Sequence, residues 1–352
     1  MVYPKNLLGL KVELDLKKCI EEVKRYIEKG YSNEKIQVEE PFIADEIYPS
    51  RFLEINPKEA QVKFLSVDAS SYPLMRGNNW RIGVSRCAYV IVENLNGRWV
   101  VSEEGYQDHI FSTIAPINER KYRIWTKLRE YESEMAIKLV KKLDSEDFCL
   151  MDGAAFFGMR GGSSYSVELY QACLKKKIKL LMIPKNSPNL HDEKNRDLLT
   201  TINLYGLKLQ REGKLGKCWF YHPILEAANR KNLYGDVTCV KLSPLSPRVF
   251  RCDIMDYLVE KGKKYLAEIL SELAGLSMDA RCNGYPAPLF LAHERTRIPR
   301  AKLLEYFELV QLNLDREGLL EFLLRESDVA GFRKHLLGLT YDFDMIEDIE
   351  GE

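Results

Sequence analysis

No sign of charge predominates in this chain: across its 352 residues, Lys and Arg number 52 and Asp and Glu number 52. That balance excludes a protein that coats nucleic acid or membrane by bulk electrostatics, though not one with a local basic groove. Long apolar runs are missing as well, so no segment reads as spanning a bilayer. The opening stretch, MVYPKNLLGLKVELDL, lacks the apolar h-region and small-residue cleavage site of a secretory signal. Closely spaced cysteines are absent. The nearest two, Cys239 and Cys252, lie far outside Cys-x-x-Cys spacing, which excludes a zinc ribbon or a dithiol redox motif. Cys87 and Cys149 sit inside apolar segments and read as buried free thiols, so the expected compartment is the reducing cytoplasm. There is no Gly-x-Ser-x-Gly elbow, and the stretch Gly158-x-x-Gly161-Gly162-Ser163-Ser164 lacks the Gly-Lys-Ser/Thr of a P-loop. It reads as a flexible turn, which leaves no nucleotide-hydrolysis motif.

What is present is a globular composition, 45% hydrophobic and 30% charged. At about 150 residues per domain the length fits two domains or one elaborate one. Residues 12–29 carry apolar side chains at helical spacing and stop at Gly30. KFLSVDASS reads as a short strand ending near Asp68. RIGVSRCAYVIVE and GRWVVSEE form a hairpin around Asn94-Leu95-Asn96-Gly97. A helix over about 119–143, the strand DFCLMDG, a helix near 164–177 and the strand IKLLMIPK follow, giving a mixed α/β core. Residues 188–236 read as a mixed insertion, and CVKLSPL with RVFRCDI as a second strand pair. The remainder is helical over 254–275 and 288–325, before an acidic tail in which residues 341–352 carry no basic side chain.

Two aspartates share a context. Asp68 follows Phe64–Val67 and Asp152 follows Phe148–Met151, and each precedes a small residue. Carboxylates leaving neighbouring core strands converge at a sheet edge, where their oxygens can hold hard divalent cations; a strand-end aspartate can also simply cap a turn. The intervening helix supplies a third carboxylate. At about 100° per residue, Glu132 falls on the apolar stripe with Leu128, Ala136 and Leu139, while Glu130 and Glu134 fall beside Lys127, Lys138 and Lys141. A glutamate on a buried stripe must be paired or bound to metal, and the plain alternative is a salt bridge to an arginine. His293, in GYPAPLFLAHERTRIPRAK, could add an imidazole to three carboxylates in a manganese-tolerant site or be a satisfied core histidine. Arg295 and Arg297 beyond it could meet phosphates. Lys185, after Leu180–Ile183, could clamp a phosphate or be a solvent-exposed loop lysine.

In order along the chain, FLSVDASS, LREYESEMA, CLMDGAAFFG, VKLSPLSPRVFRCDI and GYPAPLFLAHERTRI resemble blocks of the NurA family of prokaryotic DNA nucleases. The most specific is the last, with its Tyr-Pro-x-Pro-Leu, His and Arg-Ile. The resemblance spans about residues 60–300. It implies an α/β, RNase H-like mixed sheet flanked by helices, with further helical segments at both termini, in the division 1–60, 61–310 (nuclease) and 311–352. It also implies a homodimer with Mn2+-dependent (or Mg2+-dependent) single-strand endonuclease and 5′→3′ exonuclease activity on DNA. Its usual partner is the hexameric HerA ATPase, with which it resects DNA ends. Carried over by motif, Asp68, Glu132, Asp152 and His293 match the family's metal-site and catalytic positions. Two departures stand out. Ala-Ser follows Asp68 where Gly-Ser is commoner, and Thr238-Cys239 occupies the strand where an aromatic site residue is expected. The competing classes are a non-catalytic RNase H-like DNA- or motor-binding protein and an actin-like ATPase. The latter needs phosphate-binding glycine loops that this chain lacks.

Overall fold

The computed structural model describes residues 10–30, 39–44, 46–159 and 164–327. The acidic tail over 341–352 and Gly161, Gly162 and Ser163 of the glycine-rich turn lie outside them. The first amphipathic segment forms α1 (Leu10–Lys29), closed by Gly30 at a φ of +74°, a conformation glycine adopts without a Cβ penalty. Short strands β1 (Phe42–Ala44) and β2 (Phe52–Glu54) lead to β3 (Phe64–Arg76), β4 (Trp80–Leu95) and β5 (Arg98–Ile114). The β4–β5 turn carries Asn96 at φ +54° and Gly97 at φ +80°, the two left-handed residues that match a hairpin's twist. Beyond it come α2 (Ile117–Val140), β6 (Phe148–Met151), α3 (Val167–Lys176) and β7 (Lys179–Met182). Then follow β8 (Leu190–Asp192), α4 (Leu198–Arg211), β9 (Trp219–Leu225), β10 (Gly235–Lys241) and β11 (Phe250–Met255). The chain continues through α5 (Asp256–Val259), α6 (Lys263–Gly275), α7 (Ala287–Arg295) and α8 (Arg300–Arg316).

Nine strands form one sheet in the order β2-β9-β10-β11-β7-β6-β3-β4-β5, and β1 pairs with β8 apart from it. Within it, β3, β4 and β5 are successively antiparallel, while β6 runs parallel to β3 and β7 parallel to β6. With α2 joining β5 to β6 and α3 joining β6 to β7, this is the RNase H-like arrangement. The main core packs on this sheet and includes the stacked rings of Phe64 and Phe148, with centroids 4.4 Å apart. A second core lies where the β3–β4 end meets two helices: Val12, Leu16 and Val23 of α1 and Leu303, Val310 and Leu314 of α8 enclose Trp80, Ile82 and Val84. All eight cysteines are free and buried. Among the described residues no helix is long and apolar enough to cross a membrane.

Four sequence expectations need correction. The strand around Asp68 is not short: β3 runs on to Arg76 because β4 pairs with it from Phe64↔Val92 to Arg76↔Arg81, so Asp68 lies within a strand. Residues 188–236 are not an insertion, since β9 pairs with both β10 and β2 inside the main sheet. The 254–275 segment is interrupted at Gly262, at φ +90°. The helix expected over 288–325 is broken between Arg295 and Arg300, where Pro299, which has no N–H, caps α8, and again after Arg316, where Gly318 takes a φ of +68°.

Candidate functional site

The parallel pairing of β3 with β6 ends at Val67↔Met151, so Asp68 and Asp152 stand next to each other, each one residue further along. The parallel β6–β7 pairing brings the chain after Met182 to the same edge, where the Lys185 backbone N–H donates to Asp152 Oδ1 at 3.1 Å. The Lys185 ammonium donates to Asp152 Oδ2 and, at 3.3 Å, to Asp68 Oδ2. Helix α7 supplies His293, whose Nδ1 is 2.7 Å from Asp68 Oδ2 and 3.2 Å from Lys185 Nζ. The imidazole can donate to Asp68 only in a tautomer that cannot accept from Lys185, so the two contacts alternate. The seat of α7 is fixed just beyond His293: Thr296 Oγ1 donates to the His293 carbonyl at 2.7 Å and lies 2.7 Å from the Ser70 hydroxyl on β3.

Glu132 faces inward from α2 and is fully buried, whereas the side chains of Glu130 and Glu134 are 50% and 55% exposed. The helical phase read from the sequence is therefore the observed one. Glu132 Oε1 accepts the Ala69 backbone N–H at 3.1 Å, and Oε2 accepts Arg129 Nη1 at 2.5 Å. Burial pushes the Glu132 carboxyl up to about 7; Arg129 opposes the rise, and Asp68 and Asp152 add to it. Burial would also raise Asp68, but Lys185, His293 and Arg129 outweigh it and hold that carboxyl below its ordinary value. Burial works against the Lys185 ammonium, yet Asp68 and Asp152 keep its pKa above the usual lysine value. Three carboxylates thus share one arginine and one lysine.

Arg129, Tyr165 and Tyr285 were not foreseen as part of this surrounding. Arg129 sits one turn before Glu132, an i,i+3 pairing that the helix spacing carries, and its guanidinium lies 5.0 Å from the Tyr165 ring centroid. The Tyr165 hydroxyl donates to the Asp152 carbonyl at 2.9 Å. A Cβ on Gly153 would stand 2.6 Å from that hydroxyl, so the small residue after Asp152 leaves room for the ring. Tyr285, in the Tyr-Pro-x-Pro-Leu block itself, donates to the Ile183 carbonyl at 2.7 Å. Burial first, and then Asp152 and Asp68, raise its phenol well above the ordinary value. In β10, where an aromatic was expected, Thr238 and Cys239 are fully buried. The two arginines beyond His293 point away from the carboxylates: Arg295 pairs with Glu104 at 2.9 Å and Arg297 with Glu294 at 3.0 Å.

Among the described residues, no group of three His, Cys, Asp or Glu side chains has the spacing to hold a metal ion as they stand. The cation at the meeting point of Asp68, Asp152 and His293 is the Lys185 ammonium. The donors nevertheless suit a hard divalent cation: carboxylate oxygens and one imidazole, with a lysine side chain 41% exposed and so able to withdraw.

A family model described as the NurA domain matches residues 24–298. In structure, the chain is similar to the NurA nuclease from Sulfolobus solfataricus, with 20% identity and a TM-score of 0.49, covering 88% of this chain and 98% of that one. It is also similar to the catalytic domain of human endonuclease V, with 11% identity and a TM-score of 0.40 over 89% of this chain and 100% of that one. A third is Ciona intestinalis endonuclease V in complex with inosine-containing DNA, with 14% identity and a TM-score of 0.39 over 67% and 84%. A comparison with curated proteins finds no match.

Proposed function

The chain belongs to the NurA family of nucleases, and from that premise we propose that it hydrolyses DNA phosphodiester bonds with a divalent cation, Mn2+ or Mg2+, at the Asp68–Asp152 edge of the sheet. The observation that carries this reading is the convergence of Asp68, Asp152 and His293, from three separate elements, on one cationic point, with Glu132 behind them. Asp68, Asp152 and His293 would hold the cation, and Glu132 would complete the carboxylate set. When bound, the ion would polarise the scissile phosphate and acidify an attacking water.

The rest of the chemistry belongs to the chain. Asp68, kept ionised by its neighbours, supplies fixed negative charge at physiological pH. Glu132, with its carboxyl near neutrality, can exchange a proton in that range. Lys185, released from the carboxylates, would meet the substrate phosphate, a contact that carries little sequence preference. On this reading residues 61–310 carry the nuclease chemistry between the segments 1–60 and 311–352, with single-strand endonuclease and 5′→3′ exonuclease activity. The chain works as a cytoplasmic homodimer beside a HerA-type hexameric ATPase that supplies movement along DNA.

The deciding experiment incubates labelled single-stranded DNA with the protein in manganese or in chelator, alongside Asp68→Asn and Asp152→Asn. Cutting that requires manganese and is lost in both variants supports the reading. Binding without cutting leaves the non-catalytic alternative. Co-purification with an ATPase, and faster ATP-dependent degradation of duplex ends in its presence, tests the partnership.

A further inference from the structure

Across the sheet from Asp68, the register runs Asp68↔Ala88↔Tyr106 through β3, β4 and β5. Directly paired residues project to the same face, so Tyr106 shares the face of Asp68 two strands away, about 10 Å at the usual strand spacing. Tyr106 is 60% exposed on the strand that ends the sheet. Its ring is not loose. The Arg86 guanidinium lies 3.8 Å from the ring centroid. Arg86 is itself buried and held on all sides: Nε and Nη2 donate to Asp108 at 2.7 and 2.8 Å, and Nη1 donates to the Arg297 carbonyl at 3.0 Å. Tyr306 closes the network by donating to Asp108 Oδ2 at 2.7 Å. The result is an aromatic ring with one face against a fixed cation and the other turned to solvent.

The surroundings indicate what that open face takes. Glu104, two residues before Tyr106 on the same face, holds the half-exposed guanidinium of Arg295, and the backbone carbonyl of Arg297 holds the Arg86 that backs the ring. An exposed aromatic face stacked on a fixed arginine suits an unpaired nucleobase, because every base has a π-face. The distance from Asp68 corresponds to about three stacked nucleotides at about 3.4 Å each. We propose that Tyr106, backed by Arg86, is a base-stacking subsite that holds a single-stranded segment close to the Asp68 site. The subsite rests on the nuclease reading for its purpose but not for its detection.

The test is direct binding with chelator present. Wild type, Tyr106→Ala and Tyr106→Trp are titrated, at one salt concentration, against a fluorescein-labelled oligothymidylate and against an abasic strand of the same length. The expected result is affinity for oligothymidylate about tenfold weaker in Tyr106→Ala, retained in Tyr106→Trp, and unchanged affinity of every variant for the abasic strand. Equal binding of oligothymidylate by wild type and Tyr106→Ala overturns the proposal, as does an equal loss on the abasic strand. So does a change of sedimentation in Tyr106→Ala with DNA affinity unaltered, which would make this edge a contact between protein chains. A manganese cleavage assay on wild type keeps the two readings apart: base-dependent binding through Tyr106 with no cutting retains the subsite and removes the nuclease.

Discussion

Two carboxylates on core strands of this sheet, Asp253 in β11 and Asp68 in β3, are both buried, yet they are partnered in opposite ways. Asp253 accepts both prongs of the Arg251 fork, at 2.7 and 2.8 Å, and the Ala155 N–H at 2.8 Å. Its arginine is 3% exposed. Three hydrogen bonds from buried donors hold its two oxygens, and the pair can only hold shape. Asp68 instead shares a single lysine with Asp152 and a single imidazole nitrogen with that lysine, and both side chains are 41% exposed. Its partners can leave without exposing a core. The lesson is that burial alone does not mark a reactive carboxylate; burial with exchangeable partners does.

The sharpest way to break this comparison is to neutralise each aspartate in turn. Asp68→Asn and Asp152→Asn are expected to abolish manganese-dependent cutting while the fold survives, as read by gel assay and circular dichroism. Asp253→Ala is expected to show the reverse: the buried Arg251 loses two of its bonds and keeps Glu39, at 3.2 Å, and denaturant unfolding should report a loss of about 3 kcal/mol. Substantial cutting by either of the first two variants would remove those aspartates from the site. An unperturbed Asp253→Ala would make the closed pair dispensable.

Glu132 comes next in size. Glu132→Gln is expected to lower manganese affinity and cleavage together, whereas Glu130→Gln and Glu134→Gln should cut like wild type and stay within about 0.5 kcal/mol in stability. Two residues along a helix turn a side chain by about 200°, so activity lost in a flanking variant and kept in Glu132→Gln would reassign the third carboxylate.

A smaller effect tests the exchangeable partner. Lys185→Met leaves Asp68 and Asp152 facing each other without the shared ammonium, so its Tm in chelator should fall, and manganese should raise the Tm of the variant more than that of wild type. Equal shifts in the two proteins would mean that lysine and metal do not exchange. The smallest expected effect is a pH slope. Folding raises the Glu132 carboxyl from 4.5 to about 7, so the folded state binds its proton more tightly. This contribution is present below pH 4.5 and is lost as pH rises through about 7, and Glu132→Gln should flatten that limb of the stability profile. Asp68, depressed on folding, contributes with the opposite sign at the acid end.

What the sequence determined by itself was largely local. Helical periodicity set α1 and the inward phase of Glu132, because side-chain direction repeats with backbone geometry whatever the helix packs against. Asn96-Gly97 set the hairpin turn through the positive φ that it requires, and apolar runs marked β6 and β7. The order of short motifs pointed to the family and to Asp68, Glu132, Asp152 and His293. Tertiary structure alone decided the rest. The length of β3 depends on pairing with β4, which no window around Asp68 contains, and the place of β9 in the main sheet depends on β2 and β10. Lys185 meets Asp68 from a position 117 residues away, and Tyr106 meets Arg86 across a strand pair. Such contacts are set by sheet register and helix seating, which are properties of the whole chain folded at once, and local spacing carries no record of them.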